Sequence, residues 1–189
     1  SQTRFDMLTN AGVTFTAVNA RVDEEALKSA LRADLAPPRD VADTLAEAKA
    51  RKVARNHSDD YVIGSDQVLA FQGEIYDKST SPEHAIAQLQ SLRGQTHQLL
   101  SAAVIYHQGA PIWRHVGVVR LTMREFSDEY LTDYVARTWV DIQHSVGGYQ
   151  IENEGVRLFA SIQGDHFSVL GLPLIELLSF LSQREVLPG

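Results

Sequence analysis

The sequence predicts a mixed α/β fold in which helices and strands share a single domain, residues 1–189. Three observations support this prediction. The length of 189 residues suits one domain. The apolar fraction of 44% and the charged fraction of 22% are those of an ordinary globular protein. Helical and strand-like segments alternate along the chain, joined by hairpin-type turns and short crossovers, as in mixed α/β architectures.

The first third of the chain is predicted to contain three helices and one strand. A helix over residues 5–10 ends before Gly12, which is a helix stop signal. Residues 13–18 alternate apolar and small polar side chains, and this alternation indicates a strand. Residues 23–33 and 40–57 have helical spacing and are rich in Ala, Leu, Lys and Arg, which favour helices.

The middle of the chain is predicted to be rich in strands. Two short β-rich runs, residues 61–63 and 68–71, are separated by Gly64-Ser65-Asp66, which we interpret as the end of the first strand. Gly73 indicates a turn before a further short strand at Ile75-Tyr76.

A helix and two longer strands follow. Ser81-Pro82 is a capping residue followed by proline at the first helical position, and it predicts a helix that runs to Leu92. Residues 97–106 and 113–123 are predicted strands, and the Gly- and Pro-containing segment between them is a predicted loop.

The C-terminal part is predicted to combine two helices with two strands. Ser127 begins a helix with an acidic first turn, which the helix dipole favours. Residues 156–162 and 167–170 are predicted strands, and residues 174–183 form a final amphipathic helix.

Composition and charge exclude several classes of protein. Lys and Arg number 17 against 24 Asp and Glu, giving a formal charge of −7, which argues against a nucleic-acid polymer or a membrane surface as partner. The absence of cysteine excludes disulfides, thiolate zinc sites, iron–sulfur clusters and a cysteine nucleophile. No apolar run approaches the ~18 residues of a membrane span. We expect a cytoplasmic protein.

Common catalytic and nucleotide-binding motifs do not occur. The seven histidines show neither His-x-His nor His-Glu-x-x-His spacing, so they do not indicate a zinc site. His97 is expected to be a structural hydrogen-bonding residue. The chain also has no phosphate-binding P-loop, no dinucleotide-binding glycine motif and no serine-hydrolase elbow.

Asp66 is the residue that points most directly to chemistry. It follows an apolar run and a glycine, at the predicted end of a strand, where α/β proteins place their ligands. A carboxylate there can bind a divalent metal or take a proton from water, although an aspartate in a turn is the alternative. Lys49 lies seventeen residues upstream and Lys78 twelve residues downstream; each, taken singly, is also compatible with a solvated surface charge.

A series of short elements keeps its order and spacing across nearly the whole chain. In these elements, which span Ser1 to about Leu181, the sequence resembles the Maf family of nucleoside triphosphate pyrophosphatases. The elements are Ser1-Gln2-Thr3-Arg4, Val22-Asp23-Glu24, residues 45–50, residues 63–67, Asp77-Lys78-Ser79, the set Leu89, Leu92, Gly94 and His97, Gly147-Gly148-Tyr149, and residues 169–174.

The resemblance implies both a fold and a reaction. The fold is an elongated central mixed sheet flanked by helices, with an active-site cleft, as in inosine triphosphatases. The reaction is hydrolysis of a nucleoside triphosphate between its α- and β-phosphates, giving a nucleoside monophosphate and pyrophosphate. It requires a divalent metal cation, Mg²⁺, Mn²⁺ or Co²⁺, and a homodimer is compatible with the family.

The resemblance also assigns roles to individual residues. Asp66 is the candidate for activating water. The cations Lys49, Lys78 and Arg4 are candidates for stabilising charge on the phosphoryl oxygens. Candidate substrate contacts are Ser1, Arg4, Gln67 and Glu152, and candidate metal ligands are Asp66 and Glu24.

Three departures from the family pattern bear on activity. Phe5 stands where the family has a second arginine, which removes one bidentate phosphate contact. Asp77 and Ser79 replace the glycine and proline that flank the family's lysine. The strand expected before Ser1 is absent from the sequence, which suggests that a first strand is missing.

The nucleotide preference is predicted from two positions. Gln67 directly after Asp66, together with Glu152, resembles the subgroup whose substrate is 7-methyl-GTP rather than dTTP or UTP. A guanine edge offers two adjacent N–H donors, for which a carboxylate is a natural bidentate acceptor. A solvent-facing loop acid is the alternative for Glu152.

Other functions remain open at the level of sequence. The alternatives are a pyrophosphatase for dTTP and UTP, one for inosine or xanthosine triphosphate, and a non-catalytic nucleotide-binding regulator of septum formation.

Overall fold

The computed structural model describes residues 1–188; Gly189, the last residue of the predicted domain, lies outside them. Within residues 1–188 the chain forms seven α-helices and five β-strands. In chain order they are α1 (Gln2–Asn10), α2 (Glu24–Ala33), α3 (Pro38–Ala54), β1 (Val62–Phe71), β2 (Glu74–Tyr76), α4 (Pro82–Leu92), β3 (Thr96–His107), β4 (Ala110–Met123), α5 (Asp128–Ile142), β5 (Phe159–Gln163), α6 (His166–Val169) and α7 (Leu174–Gln183).

The strands form one sheet in the order β2-β1-β3-β4-β5. β1 pairs antiparallel with β2, with Leu69 opposite Tyr76. β4 pairs antiparallel with β5, with Leu121 opposite Ile162. The predicted mixed α/β fold class is confirmed.

The helices begin where the sequence supplies side-chain caps. A hydroxyl or carboxylate oxygen accepts a hydrogen bond from a backbone N–H in the first turn and satisfies one of the donors that helix geometry leaves unpaired. The residues that cap in this way are Ser1, Asp23, Ser81, Ser127 and Asp165.

The chain divides into two compact units. The first comprises residues 1–67, 100–118 and those from 165 onward; the second comprises residues 68–99 and 119–164. The core of the first unit joins α1, β3 and α7 through buried apolar side chains, which are Met7, Leu8, Ala103, Ile105, Leu172, Leu174, Leu177 and Leu181. In the second unit α4 packs against α5, with Leu89, Leu92, Leu131 and Tyr134 fully buried.

Two predicted strands are absent from the structure. Residues 13–18 form no strand; Val13 and Phe15 instead pack against the core of the first unit, so the alternation reflects one-sided burial without pairing. Residues 167–170 lie in and after the short helix α6, which begins where Asp165 accepts from the backbone N–H of Ser168.

Two further boundaries differ from the prediction. Residues 61–63 and 68–71 belong to one continuous strand, β1, so Gly64-Ser65-Asp66 does not end a strand. The predicted strand over 156–162 begins later, at Phe159, because Glu154–Leu158 forms a 3₁₀ turn.

None of the helices formed by residues 1–188 has the length and apolar character that crossing a bilayer requires.

Candidate active site

The candidate site in the first unit begins with a close approach between α3 and β1. A Cβ atom built on Gly64 collides with the carbonyl oxygen of Ala46 and lies 2.5 Å from the backbone nitrogen of Ala50. Only glycine therefore lets the helix lie this close to the strand. Gly64 and Asp66 share one face of β1, because side chains alternate along a strand. Lys49 follows Ala46 by three residues on α3, so the two side chains lie on the same face of the helix.

Lys49 joins two carboxylates. Its Nζ atom lies 2.5 Å from Oδ1 of Asp66 on β1 and 2.9 Å from Oε1 of Glu24, the first residue of α2. The side chains of Lys49 and Asp66 are 20% and 11% exposed, so the ion pair is largely shielded from solvent. We refer to Lys49, Asp66 and Glu24 as the lysine–carboxylate cluster. The structure thus brings together three residues that the sequence assigned to chemistry.

Arg4 lies close to this cluster. Its Nε donates to the carbonyl oxygen of Gly171 at 2.7 Å, and its Nη1 donates to the carbonyl oxygen of Ser65 at 3.4 Å. Burial lowers the pKa of Arg4, while the charges of Asp66 and Glu24 act to raise it. A guanidinium nevertheless stays charged in proteins, so Arg4 supplies a fixed positive charge.

Gly171 and Ser65 are parts of the site that sequence reasoning missed. The carbonyl oxygen of Gly171 also accepts from the Ser65 hydroxyl, at 3.1 Å. Gly171 has φ +103°, and a Cβ there would lie 3.2 Å from Nη2 of Arg4. Residues 169–174 therefore hold the arginine through a backbone acceptor that requires glycine. The glycine within residues 169–174 was the sequence feature that indicated a close approach at this point.

Ser1 and Gln67, two predicted substrate contacts, also make hydrogen bonds that stabilise the fold of the first unit. The Ser1 hydroxyl oxygen caps α1 by accepting from the backbone N–H of Arg4 at 3.4 Å. The Gln67 amide nitrogen lies within 3.2 Å of three acceptors, the Ser101 hydroxyl and the carbonyl oxygens of Ser168 and Val169. Gln67 thereby ties β1 to β3 and α6. The contacts of Ser1 and Gln67 with substrate stay predictions.

Lys78 and Glu152 belong to the second unit. Lys78 is exposed, and its neighbours are fixed by Gln88 of α4: the Ser79 hydroxyl donates to Oε1 of Gln88, and Nε2 of Gln88 donates to the carbonyl oxygen of Asp77, both at 3.0 Å. Ser79 thus anchors the segment where the family has proline. Glu152 is exposed in the turn that follows Tyr149. The roles of both residues stay predictions.

Phe5, which occupies the position of the family's second arginine, makes an aromatic contact. Its ring packs edge-on against Phe15, with ring centroids 5.0 Å apart, and is 43% exposed. The position therefore contributes packing rather than charge.

The donor set of the lysine–carboxylate cluster suits a magnesium-type cation. Residues 1–188 contain no group of three His, Cys, Asp or Glu side chains arranged to hold a metal ion. Mg²⁺ keeps several waters and usually takes one or two carboxylates plus the phosphates of a substrate. Asp66 and Glu24, whose oxygens converge on one ammonium, are such a pair.

The fold and this cluster define an α/β protein with a charged site suited to phosphate chemistry. The family model for Maf-like protein matches residues 1–184, and the chain belongs to that family.

Named relatives cover nearly the whole chain. A nucleoside triphosphate pyrophosphatase of Ruegeria pomeroyi is 59% identical over 99% of this chain and 94% of its own length. One of Caulobacter vibrioides is 49% identical over 96% of this chain and 90% of its own length. A 7-methyl-GTP pyrophosphatase of Rhizobium meliloti is 44% identical over 94% of this chain and 89% of its own length.

Proposed function

We propose that this chain is a metal-dependent nucleoside triphosphate pyrophosphatase, a hydrolase acting on acid anhydrides, with 7-methyl-GTP as its favoured substrate. The observation that carries the proposal is the lysine–carboxylate cluster, in which Nζ of Lys49 lies within 2.9 Å of both Asp66 and Glu24. Relatives that bear the name nucleoside triphosphate pyrophosphatase support the reaction class.

Asp66 is the proposed general base. Water is a poor nucleophile at neutral pH, and a positioned carboxylate that removes its proton raises its reactivity. The water oxygen forms a bond to the α-phosphorus, and the bond from that phosphorus to the α–β bridging oxygen breaks. The bridging oxygen leaves with pyrophosphate, and the proton from water passes to Asp66. Lys49 orients the Asp66 carboxylate through its 2.5 Å contact.

The cations are proposed to stabilise the charge that builds up on the phosphoryl oxygens. Arg4 is held in a fixed orientation by two backbone carbonyls, so binding phosphate requires little reorganisation. Lys49 supplies a second positive charge in the same unit. Lys78, on an anchored segment, is proposed as the third.

Asp66 and Glu24 would hold the divalent cation. When bound, Mg²⁺, Mn²⁺ or Co²⁺ supplies Lewis-acid polarisation of a phosphoryl oxygen and neutralises phosphate charge.

Glu152 is the residue that we propose recognises the nucleotide base. Its exposed carboxylate can accept from the two N–H donors of a guanine edge, whereas the edge of uracil or thymine places one donor between two acceptors. The Rhizobium meliloti relative, named for 7-methyl-GTP, supports this preference. We further propose a cytoplasmic location, where nucleoside triphosphates are found, and a homodimer.

A substrate panel tests the reaction. The chain is assayed with canonical nucleoside triphosphates, inosine and xanthosine triphosphates and 7-methyl-GTP, each with Mg²⁺, Mn²⁺ or Co²⁺, and pyrophosphate and phosphate are measured separately. We expect pyrophosphate with a nucleoside monophosphate, and the highest kcat/KM for 7-methyl-GTP. Release of phosphate alone, or binding without turnover, would contradict the proposal.

Two variants test the residue roles. Asp66→Asn should lower kcat by about 10²–10⁴-fold, the usual contribution of a general base. Glu152→Gln should reduce the preference for 7-methyl-GTP over UTP and leave turnover of UTP largely intact. An active Asp66→Asn enzyme would remove Asp66 from the mechanism, and an unchanged preference in Glu152→Gln would remove Glu152 from base recognition.

A further inference from the structure

The turn that carries Glu152 is held on both sides by polar contacts within the second unit. We propose that the His97–Tyr149 and Arg137–Glu154 contacts act as a clamp that positions Glu152 and so sets the selectivity for the nucleotide base. The inference rests on the proposed function, since it concerns how Glu152 reaches its ligand.

The first contact fixes the backbone that enters the turn. Nε2 of His97 on β3 lies 2.7 Å from the hydroxyl oxygen of Tyr149, and these residues are only 1% and 4% exposed. The Tyr134 hydroxyl on α5 donates to the carbonyl oxygen of Gly148 at 3.3 Å. The chain therefore enters the turn from a segment bound to both β3 and α5.

The His97 ring makes its hydrogen bond through one of its two nitrogens. Nδ1 of His97 is buried and has no hydrogen-bond partner within the described chain. Within the described chain the His97 ring is therefore held through Nε2 alone, by its contact with the Tyr149 hydroxyl. Burial lowers the pKa of His97 to about 4, so the ring stays neutral at physiological pH.

The turn itself is closed by local contacts. The backbone N–H of Asn153 donates to the carbonyl oxygen of Gln150 at 3.2 Å, and Nδ2 of Asn153 donates to Oε1 of Gln150 at 2.9 Å. A Cβ on Gly155 would lie 2.5 Å from that same carbonyl oxygen. These contacts span Ile151 and Glu152 and leave their backbone little freedom.

The second contact fixes the chain as it leaves the turn. Arg137 on α5 binds both carboxylate oxygens of Glu154, with Nη1 2.5 Å from Oε2 and Nη2 2.9 Å from Oε1. The same guanidinium also donates from Nε to Oδ2 of Asp133 at 2.8 Å, on the side away from its two contacts with Glu154. The hydrogen bond from Arg137 lowers the pKa of Glu154, which keeps its carboxylate charged. Bidentate pairs of this kind are the most geometrically specific of ion pairs.

A clamp at both ends matters because recognition of a base edge depends on the position of the carboxylate. A reader that is ordered before binding loses less conformational entropy when the base arrives. The contact between Glu152 and the base is present in both the ground state and the transition state, so its loss raises KM and leaves kcat near its original value. His97, Tyr149, Arg137 and Glu154 are therefore positioning residues.

Arg137→Ala and Tyr149→Phe test the clamp, with Asp133→Ala as the matched control. Arg137→Ala removes the bidentate contact and leaves Glu154 only the longer contacts from Arg157, at 3.4 Å, and Tyr130, at 3.5 Å. Tyr149→Phe removes one hydroxyl at nearly constant volume. Asp133→Ala removes the other partner of Arg137 and leaves the bidentate contact. We measure kcat and KM for 7-methyl-GTP and UTP, together with backbone amide hydrogen exchange over residues 150–153.

The expected result is a raised KM for 7-methyl-GTP, by about tenfold, in both clamp variants. KM for UTP and kcat for both substrates should change less than twofold, exchange over residues 150–153 should increase, and Asp133→Ala should match the wild type. Arg137→Lys, which keeps the charge without the fork, should behave like Arg137→Ala.

Two results would overturn the inference, and they are distinct. Unchanged selectivity in folded clamp variants of a selective wild type would remove the clamp and leave the proposed function standing. A wild type with no preference for 7-methyl-GTP would remove base reading by Glu152 and the clamp with it.

Discussion

Two charged clusters, one in each unit, have opposite compositions. In the first unit one ammonium, that of Lys49, contacts one oxygen from each of two carboxylates. In the second unit one carboxylate, that of Glu154, contacts two guanidiniums and uses both oxygens on Arg137. An ammonium is a compact point charge on a flexible stem, whereas a guanidinium is a rigid fork. The first arrangement suits exchange of partners during a reaction, and the second suits permanent attachment.

The two clusters also differ in how far their ion pairs are shielded from solvent. The side chains of the Lys49–Asp66 pair are 20% and 11% exposed, whereas those of the Arg137–Glu154 pair are 46% and 25% exposed. A shielded ion pair depends strongly on each partner, because removal of one leaves the other charge uncompensated. Exposed pairs contribute little to stability. Substitutions in the first cluster should therefore affect chemistry, and those in the second should affect geometry.

Loss of the Lys49 ammonium tests this contrast directly. Lys49→Gln should lower kcat/KM for pyrophosphate release by about 10²–10³-fold, because it removes a cation from the developing charge and releases Asp66. Lys52→Gln, at an exposed position on the same helix, is the control and should retain wild-type activity. Steady-state kinetics measures both variants. Equal activity of the two variants would show that the lysine–carboxylate cluster is not the catalytic one.

The second effect concerns acid stability, and it contrasts charged groups in the first unit with a neutral buried group in the second. His97 has an ordinary pKa near 6.5, which burial lowers to about 4 in the folded state. The unfolded chain therefore binds a proton that the folded chain does not, and stability falls as the pH drops from 6.5 towards 4. Between pH 7 and pH 5 the loss attributed to this group is about 2 kcal/mol.

Urea unfolding at several pH values measures that loss. His97→Gln should lack this component of the pH dependence, whatever its stability at pH 7. The NMR signal of the His97 ring should show no titration above pH 5. A titration midpoint near 6.5 would contradict the assignment of a neutral, desolvated ring.

A smaller loss of activity is expected from a change in the backbone that holds Arg4, and it tests whether that backbone orients the guanidinium. Gly171→Ala places a Cβ against the guanidinium at a positive φ, and should lower kcat/KM by about tenfold by displacing Arg4. Gly109→Ala is the matched control, because Gly109 has φ +78° with no atom within 4 Å of its Cβ position. Both variants should lose about 1–2 kcal/mol of stability from backbone strain. An equal loss of activity in both would attribute the effect to strain rather than to Arg4.

Local signals allowed much of the fold to be predicted from the sequence. The Ser81-Pro82 signal predicted α4 to the residue, and the segment after Pro173 became α7 over the predicted range. The errors came where apolar alternation was taken for strand pairing, as at residues 13–18. A single sequence reports which side chains are buried, but the choice of partner for a strand depends on distant segments.

The residues of the candidate site could be predicted from the sequence, but several of their contacts could not. Lys49, Asp66 and Glu24 were assigned to chemistry, and they lie together. The orientation of Arg4 was not predicted, because the carbonyl oxygens of Gly171 and Ser65 that hold it belong to the backbone, and the glycine at position 171 indicates a close approach without identifying its partner. The Arg137–Glu154 contact was missed because a 17-residue separation across a helix and a turn leaves no local spacing rule.

The glycine at position 64 has a consequence for the substitutions that this chain can accept. No side chain separates α3 from β1 at this point, so the gap between Lys49 and Asp66 is set by the thickness of two backbones in contact. Any larger residue would act as a wedge that lifts the helix and carries the ammonium away from the carboxylate. A substitution of Gly64 would therefore lengthen the 2.5 Å contact between Lys49 and Asp66 without altering either residue.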